Sequence, residues 1–475
     1  MLFNSIIFLG YITIVLVVYP CLRLRGQNLF LLIASYIFYG YWDWRFTLLL
    51  FTSTVVDYWV GRSLQTSDTK RRKKLLLFFS IMVNLVILGF FKYFNFFENS
   101  AASILAIIGF NPHMPMIKVV LPIGISFYTF KTMSYTIDVY RGKLKPTKNF
   151  IDYALFLSFF PQLLAGPIER ASSLLHQVTN PRKITKKMVL MGLNLILVGY
   201  FKKVAIADTL APIVDKIFAA PDVMSSGQLW TGLYAYAFQI YGDFSGYSDI
   251  ALGIARILGF ESMMNFNAPY LSKSITEFWK RWHISLSTWF KDYVYIPLGG
   301  NRCGIVRTCT NLIITMLLCG LWHGAAWTFV SWGLIHGLYL MGHHMILRGK
   351  KSDISWPKNI SGRAKSIIKV LITFHLVAFA WILFRSSDFK NALAYMEGLF
   401  RFHQFSGFSA SVLFAGSLLI SLDVAQLWLG SNTWLTDHQD LGVLRYTVAQ
   451  LLLLSVLSAA IAHLGTITPF IYFQF

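Results

Sequence analysis

Hydrophobic residues in this chain fall into long runs, and the polar stretches between them carry mostly positive charge. Leu2–Tyr19, Phe46–Val60, Leu75–Phe91, Met188–Phe201, Ile367–Phe384, Val412–Leu429 and Tyr446–Ala462 are the longest of these runs. About 20 apolar residues span the hydrocarbon of a bilayer as one helix. With shorter segments such as Leu29–Tyr41 included, the pattern predicts roughly eleven to thirteen membrane-embedded helices. The first run reads as a spanning helix and not a cleaved signal, because no basic region precedes it and no small-residue cleavage site follows.

Two segments predict something other than a single crossing. Basic loops flank Ile151–Gly166 on both sides, so one crossing would leave one of them outside. Breaks at Pro161 and Gly166-Pro167 predict a re-entrant hairpin instead, a backbone tolerated where protein buries it. Asn311–Ile346 lies between Arg302/Arg307 and Arg348/Lys350/Lys351, so it predicts two shortish crossings whose ends share one side. At 1.5 Å per residue His323 lies about 20 Å in from Thr308, in the middle or outer half of the bilayer. His283, close to Lys280 and Arg281, is expected near the cytoplasmic face.

Composition agrees with that pattern. Hydrophobic residues are 56% of the chain and charged ones 13%, against about a quarter charged in soluble domains. An all-α polytopic membrane protein follows. Lys and Arg number 42 against 21 Asp and Glu, but the excess does not point to nucleic acid. It clusters at Arg23/Arg25, Lys70–Lys74, Arg141–Lys148, Arg182–Lys187 and Arg348–Lys369, as cytoplasmic loops do under the positive-inside rule. Such loops touch lipid headgroups and would also attract an anionic cytosolic ligand. Both termini are then expected on the outer side. The loops are too short for a soluble domain, so residues 1–475 read as a single membrane-embedded domain with a central block at 241–346 and an aromatic tail at 465–475.

Candidate chemistry concentrates in that block. Ionisable groups at membrane depth cost roughly 2.5–3.5 kcal/mol on insertion scales, so they are functional candidates by default. His323 sits in Leu321-Trp322-His323-Gly324-Ala325-Ala326-Trp327, and His283 ends Trp279-Lys280-Arg281-Trp282-His283. An imidazole, with an ordinary pKa near 6.5, suits a general base at working pH. Asp243 and Asp249, in Tyr241-Gly242-Asp243-Phe244-Ser245-Gly246-Tyr247-Ser248-Asp249, read as structural partners of Lys202, Lys203 or Tyr247. His336, His343, His344, His375 and His463 read as structural. The four cysteines, Cys21, Cys303, Cys309 and Cys319, show no paired metal or redox spacing, and Cys319 reads as a small apolar residue.

The block continues through Asn265-Phe266-Asn267-Ala268-Pro269-Tyr270, Ser274-Ile275-Thr276-Glu277-Phe278, Lys291-Asp292-Tyr293 and Pro297-Leu298-Gly299-Gly300-Asn301-Arg302. With Phe160-Pro161-Gln162-Leu163-Leu164-Ala165-Gly166-Pro167-Ile168 and the C-terminal aromatics, this series resembles the membrane-bound O-acyltransferase family. It is closest to the branch that O-acetylates bacterial exopolysaccharides, peptidoglycan and cellulose. The resemblance covers nearly the whole chain in order, and its pieces are specific together though weak singly.

The resemblance implies a ring of tilted transmembrane and re-entrant helices around a central tunnel, in a bacterial cytoplasmic membrane. It implies acetyl-coenzyme A as acyl donor, no permanently bound cofactor or metal, and a polysaccharide acceptor outside. A separate extracytoplasmic acetyltransferase of the serine-esterase type is the implied partner. The family's essential histidine falls on His323 and its second polar position on His283. Phe470-x-Tyr472-x-x-Phe475 looks like a C-terminal motif proposed in relatives to relay an acyl group on tyrosine. Lys280, Arg281, Lys291, Asn301 and Arg302 are candidates for holding the donor, with interfacial snorkelling as the rival account. Two other functions stay open on the sequence: D-alanyl transfer from a carrier protein to teichoic acid, and secondary transport of an acyl or sugar intermediate. Transporters often show internal repeats, and none is evident here.

Overall fold

A computed structural model describes residues 1, 3–110, 119–164, 166–347, 360–429 and 470–471 of the chain. The described residues form helices and no strand. They divide into two compact units, Met1–Thr185 with Ile254–Met263, and Lys186–Gly253 with Met264–Phe475.

The first unit holds α1 Ile6–Val18, α2 Leu24–Gly40, α3 Arg45–Thr66, α4 Lys70–Leu88, α5 Phe94–Ile107, α6 Ile125–Tyr140, α7 Phe150–Ser158, α8 Phe160–Leu163 and α9 Ala171–Thr179. The second holds α10 Lys186–Tyr200, α11 Asp208–Ala219, most of α12 Ser226–Ile257, α13 Ile275–Arg281, α14 Ile284–Phe290, α15 Gly304–His323, α16 Trp327–Leu347, α17 Ile360–Arg385, α18 Phe389–Leu399 and α19 Ala410–Leu429. Among the described residues, Lys70–Ile107, Lys186–Ala219, Gly304–His323, Ile360–Arg385 and Ala410–Leu427 are long and apolar enough to cross a membrane, and Ile6–Cys21 is a shorter apolar helix. The chain is an all-α multi-pass membrane protein.

The predicted runs become helices with shifted ends. Pro20 stops the first in a 3₁₀ turn, Tyr19–Cys21, which lacks one backbone donor. The basic stretch Lys70–Lys74, expected as a loop, is instead the first turns of α4, capped by the Thr69 hydroxyl, which accepts from the Arg72 amide. Likewise Arg363, Lys365 and Lys369 lie on the opening turns of α17. Long basic side chains keep their heads in water while their stems continue an apolar helix, so a charge run need not end one. The run Tyr446–Ala462 lies outside the described residues. The hairpin predicted at 151–166 does break before Pro161, where α7 gives way to α8 at Phe159 in a non-helical conformation.

Buried polar groups weld the first unit together. The Asp57 carboxylate on α3 accepts from Ser80 at 2.5 Å and Asn84 at 2.7 Å, both on α4, and from Thr132 on α6. Thr132 in turn pairs with Tyr153 of α7 at 2.9 Å. Arg182 donates to Tyr19, Gln27 and Asn28, and its guanidinium lies 4.7 Å from the centroid of the Phe260 ring.

Glycines set the packing of the second unit. A methyl group on Gly246 would lie 2.6 Å from the Gly199 carbonyl oxygen, and one on Gly253 2.5 Å from that of Gly192. Helices α10 and α12 therefore touch backbone to backbone, the contact small residues permit in membranes. The hairpin of α15 and α16 is equally close, with Gly320 against the Phe329 carbonyl and Gly333 against that of Met316. Asn311–Ile346 thus forms two helices joined at Gly324–Ala326, as its flanking charges predict.

Candidate active site

His323 is the last residue of α15, at the bend of that hairpin. Its ring is packed edge-on against Trp332 at 5.1 Å and Phe384 at 5.2 Å, with Trp322 at 5.0 Å. His283 reaches the same place from a different direction. It joins α13 to α14 and has φ 42° and ψ 56°, the left-handed region that a β-carbon disfavours by roughly 1–2 kcal/mol.

Neighbouring hydrogen bonds hold that conformation. Before the bend, the Asn267 amide donates to the Arg281 carbonyl at 3.0 Å. After it, the Ile284 amide donates to the Asn265 carbonyl at 2.9 Å. The Asn265 side chain accepts from Ser285 at 2.6 Å and donates to Ser248 of α12 at 3.2 Å. Ser274 caps α13, accepting from the Glu277 amide at 3.2 Å, so Ser-x-x-Glu acts as a helix start. A strained, over-determined residue of this kind is a mark of functional sites.

The two imidazole centroids are 6.3 Å apart, and the residues are 0% and 3% exposed for His283 and His323. The bend after Trp282 carries the ring inward from exposed Lys280 and half-buried Arg281 and brings it to His323. Phe244 of α12 packs edge-on against His283 at 4.6 Å.

The aspartates pair as the sequence suggests. Lys202 and Lys203 lie on a π-helical stretch, Phe201–Ala207, next to the glycine contact of α10 and α12. Lys202 meets Asp249 at 2.9 Å, and Lys203 meets both Asp243 and Asp208 at 2.7 Å. Sequence reading missed a further partner: the Ile471 amide donates to Asp243 at 2.5 Å. Phe470 beside it is buried, stacked on Tyr247 at 4.6 Å and 5.7 Å from Phe244. Tyr472 lies outside the described residues.

The donor-binding candidates separate into two groups. Arg281 is committed to Glu277 at 2.9 Å and to the Asn267 carbonyl at 3.0 Å, so it serves the bend. Lys280, Lys291, Asn301 and Arg302 are exposed. His336 accepts from the Trp279 indole at 3.3 Å, while His343 pairs with Thr276 and His375 with Tyr234. Each of the three has a polar side-chain partner. His463 lies outside the described residues.

A family model of the membrane-bound O-acyltransferase family matches residues 33–360, and the chain belongs to that family. It is an acyltransferase. The chain is 43% identical over 404 residues to a probable alginate O-acetylase AlgI of Pseudomonas aeruginosa, covering 85% of this chain and 75% of the relative. It is 35% identical over 432 residues to a peptidoglycan O-acetyltransferase of Helicobacter pylori, covering 84% and 80%. It is 29% identical over 293 residues to a teichoic acid D-alanyltransferase of Bacillus subtilis, covering 59% and 72%.

Proposed function

We propose that the protein transfers acetyl from cytosolic acetyl-coenzyme A across the membrane, for O-acetylation of an extracytoplasmic polysaccharide such as alginate or peptidoglycan. The observation that carries this reading is the meeting of two buried imidazoles from separate elements, one of them held in a disfavoured backbone conformation. At that separation both rings can reach one reacting group at a hydrogen-bond range of about 3 Å.

The acceptor hydroxyl gives its proton to the His323 ring as its oxygen attacks the thioester carbonyl. An N–H of His283 donates to the oxygen on which charge develops. Collapse expels the coenzyme A thiolate, which takes the proton back from His323 and leaves as the thiol. Burial keeps bulk water from competing for the thioester. Exposed Lys280, Lys291 and Arg302, with Asn301, offer the donor's phosphates a cationic approach.

Acetyl transfer is preferred to D-alanyl transfer because both acetylating relatives match more of the chain at higher identity. The acceptor chain ends outside the cytoplasm, through a partner acetyltransferase or on Tyr472 as a relay. The test uses purified protein with acetyl-coenzyme A labelled in the acetyl group. Free coenzyme A and acetylated hydroxyl acceptor are the expected products. Binding without thioester cleavage would overturn the reading and favour transport.

A further inference from the structure

The segment Phe470–Ile471 is about as far from Asp243 in sequence as the chain allows, yet it docks on α12 against Phe244, the ring that packs on His283. Three observations converge. The Ile471 amide donates to a carboxylate oxygen of Asp243. The other oxygen of that carboxylate meets Lys203, which Asp208 also holds, so the acceptor is fixed from behind by an ion pair. The Phe470 ring stacks on Tyr247 and packs against Phe244, and Phe244 is itself packed on His283. Asp243, Phe244 and Tyr247 all belong to α12, so one helix holds the tail and braces the active-site ring.

Main-chain capture of this kind reads backbone geometry and not side-chain identity. A carboxylate held by a cation in a buried setting forms a stronger bond to an amide than a neutral acceptor does.

We infer that Asp243, oriented by Lys203, is a positioning residue that latches Phe470–Ile471 beside the histidine pair for acyl hand-over. The inference rests on the acetyl-transfer reading for its purpose but not for its geometry. The latch determines whether acetyl reaches an acceptor, while thioester activation stays with the histidines.

Two variants and two readouts test it. Asp243→Ala removes the acceptor, and Ile471→Pro removes the N–H while leaving Asp243, Lys203 and Asp208 intact. Amide hydrogen exchange in the full-length protein is followed over α12 and at the tail amides other than that of residue 471, which Ile471→Pro lacks. Both variants are expected to speed exchange at the tail, Ile471→Pro without loosening α12. Transfer to a hydroxyl acceptor falls about 10²-fold, as misplacement of a reacting segment does, while coenzyme A release by hydrolysis changes little. Unchanged tail exchange in Ile471→Pro overturns the latch whatever the activity. Loss of hydrolysis and transfer in equal measure, with faster tail exchange, overturns the hand-over role. Absence of turnover in the unsubstituted protein would instead defeat the functional reading and leave the exchange result standing.

Discussion

Asp57 in the first unit and Asp243 in the second are both buried carboxylates in a membrane protein, yet they are satisfied differently. Asp57 takes neutral donors, Ser80, Asn84 and Thr132, all on helices packed directly around it. Asp243 takes a cation on a π-helical stretch and a main-chain amide from the far end of the chain. The Asp57 network closes on its own helices and fastens them. The Asp243 network opens toward the histidines. Cost of burial marks both residues as candidates, but the partners separate architecture from chemistry.

That contrast sharpens into measurements. After His323, the largest effect on turnover is expected at His283. His283→Gly removes the ring and its N–H while glycine adopts the left-handed region freely, so its effect reports the ring and not the backbone. Loss of the oxyanion donor lowers turnover about 10²–10³-fold, read with labelled acetyl-coenzyme A, at nearly unchanged thermal stability. Asp57→Ala should do the reverse. It leaves three buried donors without their acceptor, destabilising the protein by at least about 1–3 kcal/mol in denaturant titration. Turnover per folded molecule stays the same, and a specific loss of turnover would break the comparison. Gly246→Ala forces a methyl group onto the Gly199 carbonyl and costs about 1–3 kcal/mol of stability by spreading α10 from α12. The smallest effect belongs to the exposed basic residues. Lys280→Ala with Lys291→Ala raises the KM for acetyl-coenzyme A a few-fold at unchanged kcat, and more at low salt than high.

Much of this was legible in the order of residues. Runs of apolar side chains marked the helices because a bilayer leaves the backbone few alternatives to helix. Flanking charges marked the α15–α16 hairpin, and the motif segments marked His283 and His323. Helix ends were harder to read. Lys70–Lys74 looked like a loop because charge usually ends a membrane segment, but an amphipathic stem can carry a helix beyond the apolar zone. The proximity of the histidines was hidden, because it depends on the bend after Trp282, and no local pattern announces a non-glycine residue with positive φ. The contact of Ile471 with Asp243 was hidden more deeply still. A main-chain amide carries no residue signature, so only the fold reveals which one a carboxylate holds.

The account stands on His323 as the base that activates an acyl acceptor. The most direct measurement is coenzyme A release and acceptor acetylation by purified His323→Ala protein, with amide exchange confirming an intact fold. Turnover is expected to fall by about 10²–10⁴-fold, the contribution of a positioned general base. Turnover equal to that of the unsubstituted protein would contradict the assignment and remove the histidine pair from the chemistry.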